Sequence, residues 1–387
     1  MLRKKDIHSY LIYTSYIILN IYFFFCLTNF SNFLNSKYLL LLGLGLAFFA
    51  LLYIKSFDFY RLICLVIVGV VILLNIIYNK EVSSGNYSCD YTFIYLVFFV
   101  LTMADIKISD LIRISFFTQL SSLVFTIICF KLNLIENTIL YRDGIIRKSF
   151  GFAHPNLFGL IVMCITISFL YIYFKKINLI VFILVSGINL YVYTVTLSRT
   201  SFLCAIFAIL ISLLAKYTSL YRKGIIKYIL IFSIPVIFLI SVTLPLFYNT
   251  SNFYYLLDEI FSGRLIQGHY YINKYGISIF GKFIPDTYNI LNLYNWTEGW
   301  VLDSAYLRIL IQQGIIIFIV VFIYVLYKCI ILCKNQKVFE VLLIFTSLIY
   351  AFFERYSLNI FIFSITLLLF MSETDFSSEE ELQIEQN

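Results

Sequence analysis

Twelve apolar stretches, most of them as long as a bilayer-crossing helix, follow one another along this chain. They cover residues 9–27, 38–54, 62–79, 90–104, 112–130, 156–174, 178–196, 201–217, 228–248, 306–328, 338–354 and 359–371, the fourth and twelfth being short. About 20 apolar residues in a helix cross the ~30 Å hydrocarbon layer. Composition closes off the alternatives. Hydrophobic residues make up 61% of the 387 positions and charged residues 13%, where a soluble domain carries roughly a quarter charged. Mean hydropathy is +0.93. A water-soluble enzyme, a disordered chain and a nucleic-acid-binding domain are excluded. The expected fold is all-α: one polytopic membrane domain over 1–387 with about twelve transmembrane helices. It has a large extracellular loop at 249–305 and a disordered acidic tail at 372–387. The first stretch is not read as a cleavable signal peptide, because Arg3, Lys4 and Lys5 lead into a long Tyr/Phe-rich run with no small-residue cleavage site.

Net charge is +7, and it reads first as topology. With the N-terminus placed in the cytoplasm, sixteen of the 28 Lys and Arg fall in inside segments, all in short connections. Basic residues in short loops mark the cytoplasmic side. A multi-pass protein of the cell membrane with both termini cytoplasmic is expected, its partner the lipid bilayer rather than nucleic acid. The 8 Cys form no disulfide framework or zinc pattern, because most sit in apolar runs.

The other basic residues gather on the outer side, around 141–156, 196–200 and 249–308. In the first region, Arg147 and His154 stand just before a helix that Pro155 suits as a first residue. Free N–H groups at that helix start could bind an anion; a turn with interfacial charges is the blander alternative. In the second, Arg199 lies between two apolar spans with only small hydroxyl residues around it. It could snorkel to headgroups or offer its fork to a phosphate. In the third, Phe253, Leu256, Leu257, Ile260, Phe261 and Leu265 recur at helical spacing, with Asp258, Glu259, Ser262 and Arg264 on the other side. This predicts one amphipathic helix in the outer interface. His269, the Tyr270–Tyr271 pair, Trp296 and Trp300 follow it, as interface anchors or as platforms for sugar rings. Asp303 precedes the tenth span and could be a helix N-cap, a general base, or both. No phosphate-binding glycine loop, zinc cluster or nucleophile elbow is present. No paired-carboxylate Mg²⁺ site stands out, so neither metal nor cofactor is expected.

The segment Arg147-x-Ser149-Phe150-Gly151-Phe152-x-His154-Pro155-Asn156-x-Phe158-Gly159 resembles the signature of Wzy-type polysaccharide polymerases. Thr196-x-Ser198-Arg199-Thr200 is similar to an element of the wider O-antigen ligase/polymerase superfamily. Ser262-Gly263-Arg264 and Asp303-Ser304-x-Tyr306 with Gly314 resemble the opening and close of that superfamily's large outer loop. The related ligases often carry a His where this chain has Asp303, which weighs towards a polymerase.

The resemblance implies a membrane-embedded, metal-independent, inverting glycosyltransferase of the outer leaflet. It would join undecaprenyl-pyrophosphate-linked oligosaccharide repeat units into capsular or exopolysaccharide, alongside a flippase and a chain-length regulator. Arg199 and Arg264, with Arg147 next, would hold the pyrophosphate as charge develops on it. Asp303, His154 or His269 would take the acceptor proton. Two alternatives stay open: a ligase that moves finished glycan to another acceptor, and a transporter or flippase. The second is weakened by the lack of internal repeats or paired broken helices, and by span interiors that are mostly apolar.

Overall fold

The computed structural model describes residues 4–32, 37–54, 59–78, 87–88, 92–103, 106–142, 144–218, 224–249, 251–285 and 302–371. Its helices are α1 (Lys4–Phe25), α2 (Lys37–Leu51), α3 (Phe59–Tyr78), α4 (Thr92–Thr102), α5 (Ile108–Lys131), α6 (Pro155–Tyr173), α7 (Leu179–Thr196), α8 (Arg199–Tyr217), α9 (Gly224–Leu246), α10 (Asn252–Ile260), α11 (Arg264–Tyr275), α12 (Ala305–Arg308), α13 (Ile315–Lys334) and α14 (Val338–Phe353). Two small antiparallel pairs complete it: β1 (Tyr87–Ser88) with β4 (Ile284–Pro285), and β2 (Ile139–Arg142) with β3 (Ile145–Lys148). Trp296, Trp300 and the acidic tail lie outside the described residues.

Six of these helices, α5 to α9 and α13, are long and apolar enough to cross a membrane. Their outward faces carry large exposed apolar side chains, such as Ile183 and Leu184 on α7, Phe232 on α9 and Ile323 on α13. Water would not tolerate so continuous an apolar surface, and a bilayer covers it. The chain is thus an all-α membrane protein, but not twelve long spans. The second, fourth and eleventh stretches form helices of 15, 11 and 16 residues. At 1.5 Å per residue, even the longest of these reaches only about 24 Å.

The tenth stretch is broken. Residues 305–313 are helical, ending in a π-helical turn at Ile309–Gln313, and α13 starts only after Gly314. Gly314 has φ 93°, and a Cβ there would lie 2.3 Å from the Ile279 carbonyl oxygen. Residues 278–282 press against the break: Lys282 N–H donates to Ile311 O at 2.8 Å and Ile315 N–H to Ser278 O at 3.0 Å. Asn75 of α3 donates to Phe280 O and to Gln312 O.

The twelfth stretch is not an α-helix. After α14 comes a 3₁₀ turn at Arg355–Leu358, and Ser364–Phe370 is again 3₁₀. From Ile360 to Leu369 this thread is buried in the bundle. Non-helical backbone at membrane depth survives only when protein satisfies its polar groups. Here side chains from three helices do so. Tyr16 Oη of α1 donates to Ile360 O, Gln119 Nε2 of α5 to Ile362 O, and Tyr324 Oη and Lys328 Nζ of α13 to Leu369 O and Met371 O. Ser168 of α6 bonds Ser364 at 3.1 Å. Around Phe361, the rings of Phe23, Phe99 and Tyr16 lie 5.0, 5.2 and 5.8 Å away. The segment is apolar because it is core.

Candidate functional site

The hairpin β2–β3 pairs Leu140 with Arg147 and leads into a tight turn. Asn137 Oδ1 accepts from the N–H of Ser149 and of Phe150, while Thr138 N–H donates to Ser149 Oγ. Phe150 and Gly151 both take left-handed backbone, φ 52° and 88°. A Cβ on Gly151 would stand 2.5 Å from the Ile135 side chain. The turn is then pinned by Ala153 N–H donating to Leu27 O at 3.0 Å. It ends at His154, the N-cap of α6, whose Nδ1 accepts from Asn156 N–H at 3.0 Å, with Pro155 in the first helical position. A ring that accepts at Nδ1 carries its proton on Nε2 when neutral. His154 therefore offers an N–H donor.

Arg147 is buried and reaches across the turn. Its Nε donates to Thr196 O at 2.6 Å and its Nη2 to Asn156 Oδ1. Thr196 ends α7, Leu197 follows with left-handed φ 51°, and Ser198 is the N-cap of α8. A left-handed non-glycine residue costs about 1–2 kcal/mol, a strain that often accompanies functional turns. The close approach of this turn to α6 depends on Gly159, where a Cβ would lie 2.8 Å from Ser198 Oγ. Arg199, first residue of α8, is exposed. The positive end of the helix dipole does not favour a cation there, so helix stability does not explain its position.

The expected single amphipathic helix is two helices. Ser262 and Gly263, at φ 54° and 80°, break it. Asp258 then caps the second helix, its Oδ1 accepting from the N–H of Leu265 and Ile266. The face of α10 stays open, with Phe253, Leu256 and Ile260 exposed. Tyr271 is not a sugar platform: it is buried against Ile284, Leu302 and Leu307.

The break places Arg264 at the start of α11. Its Nη2 lies 3.0 Å from Asp303 Oδ2 and 3.2 Å from Glu354 Oε1, and its Nε donates to Phe353 O. Asp303 is not an N-cap; Ser304 occupies that position in α12. Glu354, at the end of α14, was not anticipated from the sequence. Its side chain is 10% exposed, against 18% for Asp303 and 19% for Arg264.

Mutual fields tie these groups together. Burial, and then the Asp303 carboxylate, push the Glu354 carboxyl up to about 7, against the pull of Arg264 and Arg355. Burial, and then Arg147 and Arg264, push the His154 imidazole down to about 4, so it is neutral near pH 7. Burial and Arg142 lower Arg147 while Glu354 opposes them. Burial also works against the Arg264 charge, but Asp303 and Glu354 outweigh it and hold its pKa up. Arg147, His154, Arg264 and Asp303 thus converge on one end of the bundle with Glu354. Arg199 sits beside them in chain terms, three residues past the carbonyl that Arg147 grips. His269 makes other contacts: Nδ1 to Pro245 O, Nε2 to Asn273 Nδ2, and its ring 5.5 Å from Tyr248.

A cavity of about 120 Å³ lies between α3, α4, α13 and the thread, walled by Val97, Val100, Val321, Val325, Leu358 and Ile360 among others. Its hydroxyl-bearing walls are committed elsewhere: Tyr324 Oη to Leu369 O and Thr366 Oγ1 to Phe363 O. What remains is hydrocarbon. Among the described residues, no group of three His, Cys, Asp or Glu side chains is arranged to hold a metal ion.

Comparison of the chain with protein-family models, curated proteins and solved structures finds no match.

Proposed function

We propose that this protein is a polysaccharide polymerase that joins lipid-pyrophosphate-linked oligosaccharide repeat units at the outer face of the cell membrane. One observation carries the reading: an ionic mouth stands over an all-carbon cleft. Leu358 lines the cleft and Glu354 belongs to the mouth. One 3₁₀ turn joins them, a rise of about 8 Å over four residues. An amphiphile with an anionic head and a hydrocarbon tail fits both. The motif resemblance supplies the reaction class, and the meeting of three of its four segments around Arg264 supports it.

On this reading the acceptor hydroxyl attacks the anomeric carbon of the donor, and the bond to the lipid pyrophosphate breaks. The leaving group takes the electron pair, so anionic charge grows on it. Preorganised donors in a site of low dielectric stabilise that charge. Arg199, exposed and with its fork uncommitted among the described residues, is the first contact. The Nε2–H of His154, within the field of Arg147 and Arg264, is a second and neutral donor. Arg264 is held by two carboxylates, and Arg147 is mainly a clamp between hairpin and helices. His154 is then a donor rather than a base. The basic residues of the opposite loops support cytoplasmic termini, which puts the mouth outside. A flippase and a chain-length regulator enter as partners through the resemblance alone.

The test is extension of purified lipid-linked repeat units by the protein in nanodiscs. A ladder of products is expected, cut by at least about ten-fold in Arg199→Ala, with Arg199→Lys recovering only part because Lys lacks the fork. Single additions to an unlike acceptor would mean a ligase. Transport of the lipid-linked unit without new glycosidic bonds would mean a flippase.

A further inference from the structure

The reaction needs a group to take the acceptor proton, and the ionic mouth contains a carboxylate that no motif marks. We propose that Glu354 is the general base of the site, with Asp303 as the positioning residue that keeps it basic. The inference rests on the polymerase reading above.

Both carboxylates meet the same atom. Arg264 Nη2 is 3.0 Å from Asp303 Oδ2 and 3.2 Å from Glu354 Oε1. One guanidinium cannot fully neutralise two carboxylates so placed. Like charges that share a site bind protons as a pair, and the more buried member holds the proton more tightly. Glu354 is that member. Around it stand Arg264 from α11, Asp303 ahead of α12, Arg355 next in the chain, Arg147 from β3 and Tyr350 one turn back on α14. The two histidines do not compete for the role. His154 presents a donor, and both ring nitrogens of His269 are engaged elsewhere.

The environment suits the chemistry. A general base works best when its pKa lies near the working pH, and the Glu354 carboxyl is pushed up to about 7. As the acceptor O–H attacks, its proton passes to Glu354 and its oxygen bonds the anomeric carbon. The C–O bond to pyrophosphate breaks and its electrons leave with the lipid. Protonated Glu354 then releases Arg264 from one of its two charges, just as the departing pyrophosphate needs a cation.

The experiment is the pH profile of elongation by the full chain in nanodiscs, with two variants. Wild type should show an acid limb, activity falling as pH drops through about 7. Glu354→Gln, which keeps a hydrogen bond to Arg264, should lose at least about 10²-fold of the rate and the limb with it. Asp303→Asn should retain elongation at high pH, with its limb moved to lower pH because the neighbouring charge is gone. A purely structural Glu354 would leave the limb in place. Infrared titration of the same samples gives an activity-free readout: the C=O band of a protonated carboxyl should vanish near pH 7 in wild type and be absent in Glu354→Gln. A limb that survives in Glu354→Gln, or Asp303→Asn dead at every pH, overturns the assignment alone. A wild type that makes no ladder overturns the polymerase reading and this inference together.

Discussion

The ionic mouth and the thread at 359–371 are both places where a membrane protein buries polarity, and they do it in opposite ways. The thread buries backbone, and neutral or long-chain donors from α1, α5 and α13 meet its carbonyls at Ile360, Ile362, Leu369 and Met371. The mouth buries full charges that compete for partners: two carboxylates meet one guanidinium, the fields of Arg355 and Arg147 also act on Glu354, and a neutral histidine feels two arginines. A satisfied network rigidifies what it holds, while a partly satisfied one is high in energy and ready to change. The thread is built for permanence, and the mouth is where protonation changes most readily.

The sharpest way to break the comparison is to put a charge in the thread. Leu367 is fully buried, and Leu367→Asp should leave little folded protein by size-exclusion in detergent, since an unpaired buried charge costs upwards of about 4–5 kcal/mol. Phe361→Ala comes next, removing a ring from a buried aromatic cluster at about 3–5 kcal/mol, read as a lowered Tm. Gln119→Leu strips the donor from the Ile362 carbonyl and should cost about 1–3 kcal/mol. The cost of Leu367→Asp should ease as pH falls and the new carboxyl takes a proton, whereas neither of the other two should depend on pH.

Stability set by the mouth should depend on it. Glu354 binds its proton more tightly folded than unfolded, so its contribution is full at low pH and is lost as pH rises through about 7. His154 is the reverse: held down to about 4 when folded, it stabilises above its usual 6.5 and loses this as pH falls. The two slopes oppose each other between pH 5 and 6.5. Wild-type Tm should be nearly flat there, while Glu354→Gln should lose stability on acidification. His154→Asn, which keeps a capping side chain, should gain. Parallel curves for all three would sink the account. The smallest effect belongs outside both regions. Ile323→Ala on the lipid-facing side of α13 should move stability by no more than about 0.5 kcal/mol.

The mouth was more legible in the sequence than the thread. Arg147, His154, Arg264 and Asp303 stood out because charge is scarce in this chain, and scarcity makes each ionisable residue conspicuous. Glu354 escapes notice because it closes an apolar run and reads as the last residue of a span. The acid–base pair Glu354–Arg355 between two apolar runs was the available signal. The turns that aim these residues were also hidden, because left-handed backbone falls on Phe150, Leu197 and Ser262 as well as on glycines. For the thread, hydropathy measures transfer out of water and does not say whether lipid or protein receives the side chain. Apolar residues of α13 and of 359–371 read alike, yet Ile323 faces outward and Ile362 lies in the core. The polar clues to the second case, Gln119 and Ser168, sit on other helices.

The thread also has a bearing on how the molecule is made. Among the described residues, the side chains that hydrogen-bond it, from Tyr16 to Lys328, all precede it in the chain. During synthesis, which runs from the N-terminus, those groups reach the membrane first and face an empty slot. The thread cannot enter as a self-sufficient helix and must find its partners in place. It acts as a closing piece, and folding is complete only once it is seated. Any chain cut short at residue 358 would leave Gln119 and Tyr16 with no carbonyl to meet and the bundle open along its centre, a defect that membrane quality control could read.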